Sequence, residues 1–170
     1  MKMNVIILII MLIHVTSCKK MNEFDDVLSL QRQNYQGNEL FLDGFYYTET
    51  ENFEGIIFNR YAFYENGITR YLGSSKLLLE PNFVSGNAKQ TWGIFQIENG
   101  KIKFERWYPS SGGPLMAFVR SGQVLNDTTF HITESYRMQN GQKTEIRVRD
   151  EIYHFQQFSP KPDSTNKFVP

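Results

Sequence analysis

Thiols are nearly absent from this chain of 170 residues: Cys18 is the single cysteine, so no disulfide can close within it. Histidine is almost as scarce, at His14, His131 and His154. Neither His131 nor His154 belongs to a His-Glu-x-x-His pattern, and no cysteine joins them, so nothing points to a zinc site. The Gly-x-Ser-x-Gly turn of serine hydrolases and the Asp-x-Asp-x-Asp-Gly loop of calcium sites are both missing. Charge of one sign is also lacking, since 18 basic residues face 18 acidic ones. That balance argues against nucleic acid or an anionic surface as a partner. No cofactor motif is present, and no nucleophile–base pair is visible, so a non-enzymatic protein without cofactor or metal is expected.

Long hydrophobic runs are limited to one, Val5 to Val15, interrupted by His14. Eleven residues reach about 16 Å as a helix, roughly half a bilayer core, which is too short to span it. Lys2 before the run and small residues after it give the layout of a secretory signal. The closing Val15-Thr16-Ser17-Cys18 resembles the lipobox of bacterial lipoproteins. The resemblance implies cleavage before Cys18, a thioether-linked diacylglycerol on it and an acylated new N-terminus. Two or three acyl chains anchor stably where one does not. The expected organisation is then a signal segment over 1–17, a lipidated cysteine and tether over 18–38, a domain over 39–158 and a polar tail over 159–170. Lys19 in place of aspartate after the cysteine resembles the default outer-membrane signal, so a lipid-anchored protein of the cell envelope, at the outer membrane, is expected. Which way the domain faces stays open.

Aromatics are plentiful, with 14 Phe, 9 Tyr and 2 Trp. From Glu39 onward they fall in short β-branched and aromatic runs punctuated by Gly, Asn and Asp, a strand-and-turn pattern. Strands are expected over 40–48, 54–64, 67–73, 91–98, 101–108, 115–121, 128–138 and 143–156. The stretch 76–90 is a loop with one helical turn at most, and Phe24, Val27, Leu28 and Gln31 outline a weak helical face in the tether. Asn99-Gly100 makes a two-residue turn, because both positions suit φ > 0. It sets Glu98 opposite Lys101, Ile97 opposite Ile102, Phe95 opposite Phe104 and Trp92 opposite Trp107. At Asn140-Gly141 a three-residue loop with a bulge is preferred, setting Tyr136 opposite Ile146 and Glu134 opposite Val148. Phe130, Ile132, Ile146 and Val148 would then point inward, with Glu145, Arg147 and Arg149 in water. An all-β antiparallel meander of about eight strands, closed as a barrel to remove its edges, is the expected fold, with a two-sheet sandwich as the alternative.

Thr91-Trp-Gly-Ile-Phe-Gln-Ile, Lys101-Ile-Lys-Phe-Glu-Arg-Trp-Tyr-Pro and Gly122-Gln-Val-Leu-Asn-Asp-Thr-Thr-Phe resemble small lipocalin-like lipoproteins of Bacteroides and Flavobacterium relatives. The resemblance spans about residues 39–158 and implies a lipocalin-like barrel. The Gly-x-Trp signature of a lipocalin first strand is absent from 39–48.

Candidate functional residues lie on one face of the central hairpin: Trp92, Ile94, Gln96, Lys103, Glu105 and Trp107. Three readings stand. A neighbouring loop such as 76–90 covers the tryptophans as satellite core, or they form an exposed contact surface, or they line a seat for a small amphipathic ligand. Glu49, Glu51 and Glu54 are expected in a solvated loop, His131 on a solvent face, and Ser110 to Pro114 in a plain connection. The leading expectation is a lipid-anchored binding module for a small apolar or lipid-like ligand. The rival is a protein-contacting accessory or inhibitor with a packed barrel, favoured by large apolar side chains on both faces of 54–64.

Overall fold

The computed structural model describes residues 24–79 and 87–170. The signal segment, Cys18 and residues 80–86 of the expected loop lie outside the described residues. Eight antiparallel strands follow one another around a closed barrel: β1 (Gly44–Asn52), β2 (Gly55–Phe63), β3 (Ile68–Ser75), β4 (Trp92–Glu98), β5 (Lys101–Tyr108), β6 (Met116–Asn126), β7 (Thr129–Gln139) and β8 (Gln142–Gln157). The meander and its closure match the expectation, and the sandwich is excluded. No α-helix occurs among the described residues, and a single 3-10 turn spans Lys89–Thr91. The weak helical face over 24–31 forms no helix; the segment is an irregular extended strap in which Leu28 packs on the barrel wall while Phe24 and Val27 stay exposed.

The β4–β5 hairpin has the expected register: Glu98↔Lys101, Ile97↔Ile102, Phe95↔Phe104. Asn99 and Gly100 take φ of 51° and 72°, the left-handed pair that joins two strands without splaying them. Inward side chains of β1, β2, β4, β5, β7 and β8 meet in the lumen. Tyr61 of β2 touches Phe104 of β5 at 5.1 Å between ring centroids, and Phe63 meets Phe130 at 5.8 Å. These rings come from strands that are not neighbours, so they fill the barrel. An eight-stranded barrel is just wide enough to be filled by side chains. Leu40 is buried and Tyr35 lies 5.6 Å from Phe95, which plugs the end nearest the Asn99-Gly100 turn.

A second core lies outside the barrel. Outward residues Ala62, Ile68, Leu72, Trp92, Ile94 and Trp107 form one cluster with Val169, and Leu28, Leu30 and Phe168 pack against it. The strap 24–36 and the segment 158–170 therefore cover this wall. Of the apolar second face of 54–64, which favoured a protein-contacting rival, Ala62 and Tyr64 are buried in this cluster, whereas Ile56 is 51% exposed. Tyr64 Oη donates to Pro162 O at 2.8 Å, and Asn66 Nδ2 to Ser164 Oγ at 3.1 Å. The strap runs so close to the β2–β3 turn that a Cβ on Gly67 would sit 2.1 Å from Gln33 O.

Three expectations are corrected. β1 starts later than expected and continues through Glu49 and Glu51, which pair with Phe58 and Ile56. They occupy a long two-residue hairpin, not a loop, because Phe53-Glu54 turns the chain and Gly55 supplies φ of 111°. The β7–β8 connection is likewise a two-residue Asn140-Gly141 turn, with Gln139↔Gln142 paired. The bulge lies within the strands, where Glu145 has φ of 49°, and a second shift falls between Ile132 and Glu134. Glu134 still pairs with Val148, yet these two irregularities reset the alternation. Phe130 and Ile132 point inward, whereas Ile146 and Val148 are 60% and 91% exposed. Arg149 turns into the barrel's open end, where its side chain is 32% exposed, whereas Arg147, 60% exposed at that end, faces water as expected.

Candidate functional site

The hairpin residues singled out from the sequence share the outer face, as their alternation requires, but they sit beneath the strap and the C-terminal segment. Trp92 and Trp107 are buried. Trp92 Nε1 donates to Asn87 Oδ1 at 2.6 Å, and Trp107 Nε1 to Asp26 O at 2.6 Å. Ile94 is buried beside them, and Gln96 Nε2 donates to Gln31 O at 2.8 Å. Lys103 is half-buried further along β5. Glu105 is buried and clasps the strap, accepting from Ser29 N at 2.7 Å, Leu30 N at 2.8 Å and Ser29 Oγ at 3.0 Å. Burial raises its carboxyl above the ordinary glutamate value, against the lowering effect of these donors. A groove of about 490 Å³ remains beside Trp107, walled by Leu28, Leu30, Ile94 and Phe168.

The polar chemistry gathers elsewhere, inside the barrel at the end opposite the Tyr35–Leu40 plug. Inward positions of β5 carry Ile102, Phe104, Arg106 and Tyr108, and those of β6 carry Met116, Phe118 and Arg120. β7 adds Ser135, and β8 adds Arg147, Arg149, Glu151 and Tyr153. The barrel interior thus changes from hydrocarbon to guanidinium along single strands. Arg106 stacks over Tyr108 at 3.7 Å and Tyr71 at 4.3 Å from the ring centroids. Its Nε donates to Tyr61 Oη at 3.1 Å, and its Nη1 to Gln90 O at 2.9 Å and Trp107 O at 3.0 Å.

Arg120 is held from three sides. Its Nε donates to Tyr108 Oη at 3.0 Å and its Nη1 to Tyr153 Oη at 3.0 Å. The same Nη1 pairs with Glu151 Oε2, which also accepts from Tyr153 Oη at 3.1 Å. Arg149 Nε donates to Ser135 Oγ at 2.9 Å, with its Nη1 3.6 Å from Glu151 Oε1. Arg147 lies 5.7 Å from the Phe118 ring and 3.9 Å from Glu145 Oε2, beyond hydrogen-bond reach. A cavity of about 220 Å³ opens among Tyr108, Met116, Phe118, Arg120, Ser135 and the two β8 arginines.

The phenols record the field of this cluster. Burial pushes Tyr61 and Tyr153 up. Burial works the same way on Tyr108, but the Arg106 and Arg120 guanidiniums outweigh it and hold that phenol below the ordinary tyrosine value. A positive potential in an aromatic-walled recess can hold and orient a group of opposite charge. Among the described residues, no group of three His, Cys, Asp or Glu side chains could hold a metal ion. His131 Nε2 lies 2.7 Å from Asp150 Oδ1 on the outer surface. Glu49 and Glu51 are exposed along β1, and Glu54 pairs with Lys76 at 3.1 Å. Ser110 Oγ donates to Pro114 O at 2.7 Å, which closes a plain loop.

Sequence reasoning missed this cluster, although a signal was present. The β4–β5 register turns Phe104 inward, and two-residue alternation then carries Arg106 and Tyr108 inward with it. No known protein family, curated protein or solved structure matches the chain.

Proposed function

We propose that this chain is a lipid-anchored, non-enzymatic binding module of the cell envelope that takes a small lipid-like ligand at the polar mouth of its barrel. The observation that carries this reading is the division of the lumen. Interlocked aromatic rings leave one half no room for a ligand, while the other half opens on a 220 Å³ recess with fixed polar groups and apolar walls. Concave, mostly apolar seats with a few oriented polar groups are the usual form of small-molecule sites. Anchoring rests on the Val15-Thr16-Ser17-Cys18 motif.

Native mass spectrometry of the chain expressed with its own signal and released in detergent tests both parts. The expected spectrum carries a covalent acyl-glyceryl mass that Cys18→Ala abolishes. A further non-covalent mass of a few hundred daltons should be lost on Arg147→Glu. An acylated chain that never carries a second mass would refute the ligand.

A protein-contacting role is the second reading, and one feature supports it. β8 pairs with β1 only from Gln157 to His154, so its half nearer the mouth lacks β1 as a neighbour while Val148 and Ile146 stand exposed. A partner strand can add to such an edge.

A further inference from the structure

We propose that the mouth selects an organic anion, a carboxylate or phosphate carried on a body the size of one aromatic ring. The proposal rests on the mouth being the ligand seat and names the chemistry of what sits there. The chain as a whole is neutral, yet the guanidiniums of Arg120, Arg147 and Arg149 line one recess, and that of Arg106 stacks on the recess-lining Tyr108 ring. The Glu151 carboxylate stands among them, and Glu145 lies at the rim. Arg137, the next guanidinium outward, is neutralised by Asp26, whose carboxylate it reaches at 2.8 Å and 3.0 Å. The local balance is therefore positive.

The site is built rather than merely charged. Arg120 and Arg149 are held by Tyr108, Tyr153, Ser135 and Glu151, so little side-chain freedom remains to be lost on binding. Planar guanidinium forks match carboxylate and phosphate oxygens in a way that an ammonium does not. Arg147, with 60% of its side chain exposed and, among the described residues, no carboxylate nearer than Glu145 Oε2 at 3.9 Å, is the donor left facing the opening. The aromatic walls of Tyr108 and Phe118, 5.7 Å apart between centroids, lower the local dielectric and strengthen the attraction. A volume of 220 Å³ equals about seven waters at their share of the liquid, which suits benzoate or phenyl phosphate. A longer body would have to project from the mouth.

Two sources share this chemistry, a free organic anion and the phosphate of a phospholipid headgroup. The tether brings the second within reach. Asp25, hydrogen-bonded to Leu115 N at 2.8 Å beside the mouth, is seven residues from Cys18. Seven residues extend at most about 25 Å.

The test uses the mature chain, residues 18–170, carrying Cys18→Ala, with the Arg Nε–H and backbone amide signals followed by NMR. Phenyl phosphate and benzoate should shift the signals of Arg120, Arg147 and Arg149 with a Kd of about 0.1 mM, and benzyl alcohol should not. Arg147→Glu should weaken phenyl phosphate at least about tenfold, with amide signals on the plugged side of the barrel unmoved. Arg149→Lys, which keeps the charge and loses the fork, should weaken it by a smaller factor.

Benzyl alcohol shifting the mouth as strongly as phenyl phosphate would overturn the anion while leaving the seat. No probe moving the mouth would overturn both. Phenyl phosphate binding that ignores Arg147→Glu would place it elsewhere and also sink the proposal. Sedimentation with phosphatidylglycerol but not phosphatidylcholine vesicles, lost on Arg147→Glu, would support the proposal with a lipid source. Binding of the free anion alone would support it with a soluble one.

Discussion

Substituting Glu105 separates the buried charge from the hydrogen bonds it accepts. Both backbone donors of the strap, Ser29 N and Leu30 N, converge on Oε2 at 2.7 Å and 2.8 Å, while Oε1 takes only the Ser29 hydroxyl. Glu105→Gln can therefore keep both amides on its one carbonyl oxygen and turn its NH2 toward a hydroxyl that rotates to accept. The variant loses a charge that burial penalises, so its stability at pH 7 should stay within about 1 kcal/mol of the parent. Glu105→Ala instead leaves two amides without their acceptor, at about 1–3 kcal/mol each, and empties a packed position between Val119 and the strap. A total loss of about 3–5 kcal/mol follows. Urea unfolding monitored by the fluorescence of Trp92 and Trp107, both beneath the strap, reads the difference directly. The pH dependence has a definite sign. Because the folded carboxyl titrates above its unfolded value near 4.5, the folded state holds a proton that the unfolded state has released. This group's contribution to stability therefore falls as pH rises from 4.5 through the folded value, and the slope should vanish in Glu105→Gln. Equal destabilisation by Gln and Ala would refute the geometry, as would Glu105→Ala with no loss.

The filled lumen makes its own prediction. Phe104 touches Tyr61, Phe63, Phe130 and Tyr153, so Phe104→Ala should cost about 3–5 kcal/mol by calorimetry or denaturant, and under 1 kcal/mol would mean the barrel is hollow. Val169, buried against the outer wall, should tolerate no charge: Val169→Asp should lose about 3 kcal/mol or more, whereas a free tail would show no change. Absorbance at 295 nm should show one tyrosine ionising at lower pH than the rest, and that step should disappear in Tyr108→Phe. Persistence of the early step in that variant would remove the argument for a positive field at the mouth.

What could be read from the sequence divides along a physical line. Local rules sufficed for the β4–β5 hairpin, since Asn99-Gly100 demands its turn and Phe95, Ile97, Ile102 and Phe104 demand one face. Closure followed from the edges that an open eight-stranded sheet would leave. The β7–β8 hairpin failed because bulges at Glu145 and between Ile132 and Glu134 carry no residue signature and invert every face beyond them. Trp92 and Trp107 were placed on the correct face, and the 76–90 loop does cover them in part, through Asn87 on Trp92 and Lys89 over Trp107. The rest of their cover comes from the two ends of the chain, a contact of long sequence separation that periodicity cannot see. Arg106 was legible in principle. It was passed over because an arginine between Phe104 and Tyr108 reads as a solvent position until the alternation is carried through.

The covering segments also bear on how the mouth meets its surroundings. The strap enters at Asp25 and Asp26, whose carboxylates accept from Leu115 N, Ala117 N and Arg137, all at the end of the barrel where Tyr108, Met116 and Phe118 open. It then runs the length of the outer wall to Tyr35, whose N donates to Glu65 O at 2.7 Å at the plugged end. A chain anchored at Cys18 would therefore leave the barrel from the mouth, and the plugged end would point away from the bilayer. Phe24 and Val27, 84% and 88% exposed, lie on the same side of the molecule, where an apolar surface costs least if it rests in an interface. Had the strap run in the opposite direction, the arginine recess would stand about one barrel length from the lipid. For a chain anchored at Cys18, the direction in which Asp26 and Glu105 pin the strap would thus set whether the recess faces the bilayer or the space beyond it.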